Sequence, residues 1–132
     1  MTAARRGGDL DQVRRWCADA ARAASAKKGE DTVILAVGPL LAITDAFVIT
    51  SGANDRQVRT IAEEIEAKVK TGGGPAPLRI EGLDDARWVL MDYGDFVVHV
   101  FLEETRRFYD LERLWADAER WSWQEDAAAA NQ

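Results

Sequence analysis

Thr32-Val-Ile-Leu-Ala-Val37 is an unbroken aliphatic and β-branched run that stops at Gly38-Pro39. It is too short for a buried helix and apolar at nearly every position, so it predicts a strand covered on both faces and a sheet with material above and below it. Helical patterns flank it. From Asp9 onward, Leu10, Val13, Trp16, Cys17, Ala20, Ala21 and Ala24 recur at helical spacing. A first helix is expected from about Leu10 to Lys27, with Asp9 and Gln12 as a reciprocal cap and Gly29 as its left-handed close. Residues 1–8 show no such pattern and are expected to be disordered.

Phe47-Val-Ile-Thr50 gives a second strand, and Ser51-Gly52 leads into a second helix. There Val58, Ile61, Ala62, Ile65 and Val69 follow the i, i+3, i+4, i+7 rule, Asn54 and Gln57 sit where a cap belongs, and the charged residues fall on the other side. Thr71 to Pro77 is a Gly/Pro-rich surface loop. Leu78 to Glu81 predicts a third strand, and Trp88-Val-Leu-Met-Asp-Tyr93, the turn Gly94-Asp95 and Phe96 to Leu102 predict a hairpin. A last helix is expected from about Thr105, with Phe108, Leu111, Leu114, Trp115, Ala118 and Trp121 facing inward; residues 124–132 have nothing to bury and are expected to be disordered. The expected architecture is a single α/β domain over 9–123, with a mixed, mostly five-stranded sheet flanked by helices.

With 132 residues the chain has room for one core, about 14 Å in radius of gyration, that folds without disulfides or metal. The net charge is -6, the wrong sign for a protein whose main business is gripping nucleic-acid phosphates. The acidity is uneven: Met1 to Glu30 carries seven basic and four acidic residues, whereas Arg79 to Asp95 carries two basic and five acidic ones. Cys17 is the lone cysteine, which points to a reducing, cytoplasmic setting. Arg5-Arg6 is followed by no apolar stretch, so neither a secretion signal nor a membrane span is expected.

Few residues suggest chemistry. Ser51-Gly52 between a strand and a helix could present N–H groups to a phosphate, but it lacks the lysine of a P-loop and the glycines of a dinucleotide fingerprint. Asp45, Asp92 and Asp95 include no Asp-x-Asp pair of the kind that aims two carboxylates at metal ions from one strand. The sole histidine, His99, lies in an apolar strand and Cys17 on an apolar helical stripe, both ordinary structural positions. The hairpin has two readings of equal weight: helices cover both faces of a central strand, or one face displays its tryptophan or its methionine and tyrosine, residues common at binding hot spots, with acids around them. An apolar centre with an acidic rim suits a basic protein partner.

Ile43-Thr-Asp-Ala-Phe-Val-Ile-Thr-Ser-Gly52, Arg56-Gln-Val58, Trp88 through Asp92-Tyr-Gly-Asp95 into Val97-Val-His-Val-Phe101, and Arg106-Arg-Phe-Tyr-Asp-Leu-Glu-Arg-Leu-Trp115 together resemble the ribosomal silencing factor family, also called Iojap. The resemblance implies a nucleotidyltransferase-like fold without transferase activity, cofactor or metal. It further implies binding to the large ribosomal subunit through ribosomal protein L fourteen, which blocks joining of the small subunit and represses translation when nutrients are short. By matching positions, Trp88, Met91, Asp92, Tyr93, Gly94, Asp95, Arg106, Arg107 and Tyr109 are the candidate partner-binding residues. Asp45 and Gly52 match as well, with structural roles expected: a turn hydrogen bond and a positive φ. Trp121 and Trp123, if exposed, would suit a homodimer, and Arg14, Arg15 and Arg22 would offer at most a peripheral contact with ribosomal RNA. A nucleotide-binding enzyme built on Ser51-Gly52 and the aspartates is the alternative.

Overall fold

The computed structural model describes residues 2–124, with side chains from residue 10 onward. In chain order the elements are α1 (Thr2–Ala26), β1 (Glu30–Ala36), β2 (Ala46–Gly52), α2 (Asp55–Thr71), β3 (Arg79–Glu81), β4 (Trp88–Asp92), β5 (Phe96–Leu102), α3 (Glu103–Tyr109), α4 (Leu111–Leu114) and β6 (Glu119–Trp121). The strands form one sheet in the order β3-β4-β5-β2-β1-β6. Strands β2 and β5 run parallel, and the other described neighbours are antiparallel. The mixed α/β architecture is as expected, with a sixth strand added at the edge.

Helix α1 opens at Thr2 rather than near Leu10, so the stretch read as disordered carries helical backbone from Thr2 onward. Alanine and arginine, which fill much of it, are good helix formers. Met1 and residues 125–132, nearly all of the expected disordered tail, lie outside the described residues. At its other end α1 closes in a Schellman pattern: Lys28 N–H donates to Ser25 O and Gly29 N–H to Ala24 O. The left-handed residue is Lys28, with φ 66°, rather than Gly29. Gly29 is needed for closeness instead, since a Cβ there would stand 2.5 Å from Thr50 Oγ1. Helix α2 has the cap read from sequence: Asn54 Oδ1 accepts from Gln57 N–H at 2.8 Å and Gln57 Oε1 accepts from Ala53 N–H at 2.7 Å.

Strand alternation divides the core in two. On one face α1 and α2 cover Ile34, Ala36, Val48, Val89, Met91, Phe96, Val98 and Val100, with Ala20, Ala21 and Ala24 of α1 fully buried. Small residues along α1 let the helix lie close to its neighbours. On the other face Leu35, Val37, Phe47, Ile49 and Phe101 form a smaller cluster, roofed by Leu111, Trp115 and Ala118.

The C-terminal segment differs most from expectation. The helix expected to run to Trp121 ends at Tyr109, because Asp110 turns left-handed with φ 51°; a single helical turn follows, and then β6 pairs with β1. Phe108 and Leu114, expected to face inward, are 80% and 71% exposed. Trp121 is buried on the α1 side with the Arg14 guanidinium 4.6 Å above its ring, and Trp123 donates its indole N–H to Thr32 O at 3.0 Å. Neither tryptophan is free for the expected self-contact.

Candidate docking face

The face turned away from α1 and α2 is roofed only in part. The segment after α3 crosses β1 and β2, where Trp115 meets the Phe47 ring edge-on at 5.8 Å between centroids. Over β4 and β5, Trp88, Leu90, Asp92 and Val97 remain half-buried. The hairpin joining these strands closes through Gly94, at φ 84°, whose N–H donates to Asp92 Oδ1 at 2.9 Å. At the other end of β4 the chain passes so close that a Cβ on Gly82 would lie 2.1 Å from the Trp88 carbonyl oxygen.

Trp88 is fixed by its neighbours. Its ring packs against Phe101 at 4.8 Å and Tyr109 at 4.7 Å, and its indole N–H donates to His99 Nδ1 at 3.0 Å. His99, 5% exposed, also meets the Phe47 ring edge-on at 4.7 Å. Desolvation lowers its pKa from 6.5 to about 4, so the imidazole is neutral at pH 7, with Nδ1 as acceptor and the proton on Nε2. Past His99 the face opens into a groove of about 410 Å³ whose apolar walls are Leu41, Ile43, Phe47, Leu78, Leu90 and Val97. Ile43 and Leu78 stand at its rim, 78% and 74% exposed. At the opposite end of the face, Tyr109, Phe108 and Leu114 extend the exposed apolar surface.

The residues singled out from sequence separate by strand face. Trp88, Asp92 and Gly94 lie on or beside the open half, with Tyr109 packed on Trp88 and Arg107 exposed nearby. Asp95 sits in the hairpin turn and its carbonyl accepts from Asp45 N–H. Met91 and Tyr93 are buried against the helices, so they support the hairpin from behind and offer a partner nothing. Burial, with Glu66 adding to it, raises the Tyr93 pKa.

Arg106 is also taken. Nε and Nη2 donate to Glu112, Nη1 to Glu30 O and Ser51 Oγ, and Nη2 to Asp31 O, so all the N–H donors of the guanidinium are used inside the chain. It ties α3 to the irregularity in β1, where Asp31 adopts φ 49°. Gly52 ends β2 without a positive φ, packed against Val58 N. Asp92 Oδ2 pairs with Arg79 at 3.4 Å and Asp45 is buried, so these carboxylates serve the fold. The Cys17 thiol is fully buried, and desolvation, followed by the charge of Asp45, pushes its pKa up. On α1, Arg14 stacks on Trp121 and Arg22 bonds Asp19 and Trp123 O, which leaves Arg15 the freer of the three toward solvent.

The sequence reading missed Leu90, Val97, His99, Leu41, Ile43 and Leu78. Counting alternate positions from Trp88, and across the hairpin, would have placed Leu90, Val97 and His99 beside it. Nothing local marks the contributions of Leu41, Ile43 and Leu78.

A family model described as "Ribosomal silencing factor during starvation" matches residues 11–132. The "Ribosomal silencing factor RsfS" of Bacillus subtilis is 43% identical over 99 residues, covering 75% of this chain and 83% of that protein. The Mus musculus "Mitochondrial assembly of ribosomal large subunit protein 1" is 34% identical over 92 residues, covering 67% of this chain and 40% of that longer protein. A crystal structure of a Chromobacterium violaceum protein superposes with a TM-score of 0.70 at 35% identity, covering 74% of this chain and 81% of that one.

Proposed function

The chain belongs to the ribosomal silencing factor family, and on that premise we propose that it binds the large ribosomal subunit with the open half of its sheet and keeps the small subunit from joining. The observation that carries this reading is the uncovered aromatic and aliphatic surface around Trp88, Leu90 and Val97, with Ile43, Leu78 and Tyr109 exposed at its edges. A surface of this kind on one face of a small chain is an interaction site in the making. The acids around the hairpin favour a basic partner, which supports ribosomal protein L fourteen as the element touched. The name of the mouse relative, which refers to ribosomal large subunit assembly, supports the choice of subunit.

The mechanism is occupancy. A standard protein contact takes about 800 Å² per partner, against a surface of 7637 Å² for the described chain, so one face suffices for docking while the helices behind it fill the space the small subunit needs. No bond is made or broken, and the effect follows affinity and concentration. The cytoplasmic setting and repression under nutrient limitation belong to the same reading, the latter supported by the family description.

The test is sedimentation with purified subunits. The protein is expected to travel with free large subunits, to be absent from joined ribosomes, and to lower the joined fraction when added before the small subunit. Protein that stays at the top of the gradient, or moves with joined ribosomes, contradicts the proposal.

A further inference from the structure

The groove beside Trp88 has a chemical asymmetry. Thr44 Oγ1 donates to Gly94 O at 3.0 Å, Asp92 accepts from Gly94 N–H and pairs with Arg79, and Arg79 also pairs with Glu81 at 3.6 Å. His99 is different. Its Nδ1 is engaged by the Trp88 indole, which fixes the proton on Nε2, and that donor is buried with no hydrogen-bond partner. Of the buried side-chain polar atoms without a partner among the described residues, it is the one that belongs to a lining residue of the groove. A buried donor left unmade costs free energy that an incoming acceptor recovers, so such a group selects for ligands that carry one.

We propose that this groove is the specificity pocket of the docking face: it takes an aliphatic side chain from an extended segment of a basic protein, whose main-chain carbonyl oxygen accepts the Nε2–H of His99. The inference rests on the docking reading above and names the chemistry that the face selects. The walls, Leu41, Ile43, Phe47, Leu78, Leu90 and Val97, fit an aliphatic group. A cationic side chain has no lone pair to offer, whereas every residue of an extended segment carries a main-chain carbonyl beside its side chain, so a neutral carbonyl is the acceptor that accompanies an aliphatic occupant. The excess of acids from Arg79 to Asp95 sets the sign of the flanking residues as basic. Nε2 is shielded in the free chain. An occupant reaches it by parting the outer wall, where Leu41 and Ile43 sit on a connection that carries neither strand nor helix.

Two substitutions separate the donor from the rest of the ring. In His99→Asn the amide oxygen can stand in for Nδ1 toward Trp88, but nothing replaces the Nε2 donor; in His99→Gln the amide N–H reaches the Nε2 position. Each is titrated against purified large ribosomal subunits by pelleting, with thermal melts as a check on folding and Ile43→Glu as a probe of the face itself. The expected result is at least tenfold weaker binding for His99→Asn, most of it recovered in His99→Gln, and none detectable for Ile43→Glu. Wild-type affinity in His99→Asn while Ile43→Glu fails to bind overturns the inference and leaves the docking face standing. Equal weakening of both His99 variants overturns it too, since the ring's shape and not its donor would then matter. Ile43→Glu binding as well as wild type overturns the docking face, and the inference with it.

Discussion

The two faces of the sheet are built from the same strands and differ at every second residue. On the helix side Val89, Met91, Phe96, Val98 and Val100 are fully buried. One residue along, Trp88, Leu90, Asp92 and Val97 are half-buried, under a roof that stops after β2. The closed side is mainly aliphatic, with the Thr32–Thr50 hydroxyl pair among its few polar contacts. The open side is aromatic and carries handles for hydrogen bonds in Trp88 and His99. Two long helices supply stability on one side, and a partial cover on the other leaves apolar surface to offer.

The largest effect expected on this contrast comes from the roof. Arg106→Ala should lose about 3–5 kcal/mol, because Glu112 and Asp31 O are left without this donor and Glu30 O keeps only the Ser51 hydroxyl; urea melts measure it, and a loss under about 1 kcal/mol would mean the roof is held otherwise. Neighbouring positions on β4 come next. Met91→Ala should cost about 2–4 kcal/mol in stability with the affinity of the folded protein unchanged, whereas Leu90→Ala should cost under about 1.5 kcal/mol and weaken large-subunit binding at least tenfold. The reverse pattern would exchange the roles of the faces.

The smallest effect is on pH dependence. Well above pH 6.5 His99 is neutral whether folded or unfolded and contributes no pH slope. As pH falls, the unfolded chain takes a proton that the folded one refuses until about pH 4, so stability drops by about 2 kcal/mol by pH 5 and levels off below the folded pKa. Replacing His99 with Leu should remove that share of the slope in melts compared at pH 7 and pH 5; an unchanged slope would place the imidazole in a wetter site than its burial indicates.

Much of the fold was legible because its signals are local. The apolar stripe of α2, its Asn54–Gln57 cap and the turn at Gly94-Asp95 each lie within a few residues of chain. The C-terminal segment was not, because Phe108 to Trp121 keeps helical spacing while the clamp on Arg106, the left-handed Asp110 and the pairing of β6 with β1 depend on residues 30–36 and 51 far back in the chain. The candidate site was half legible. Sequence placed it on the hairpin, but which of two alternating sets faces outward depends on where α1 and α2 pack. Sequence alone therefore groups Met91 and Tyr93 with Trp88 and leaves out Leu90 and His99.

Trp88 and Asp92 are poor probes of docking, since one is packed between two rings and hydrogen-bonded to His99 and the other caps the hairpin turn. Ile43 is exposed and bonds nothing through its side chain, so Ile43→Glu should shift stability by under about 0.5 kcal/mol. Lys70→Glu, exposed on α2 behind the sheet, is its control. Sedimentation of both with free large subunits tests the central claim directly. The account predicts that Lys70→Glu travels with the subunit and that Ile43→Glu stays at the top of the gradient; Ile43→Glu moving with the subunit as the wild type does would contradict it.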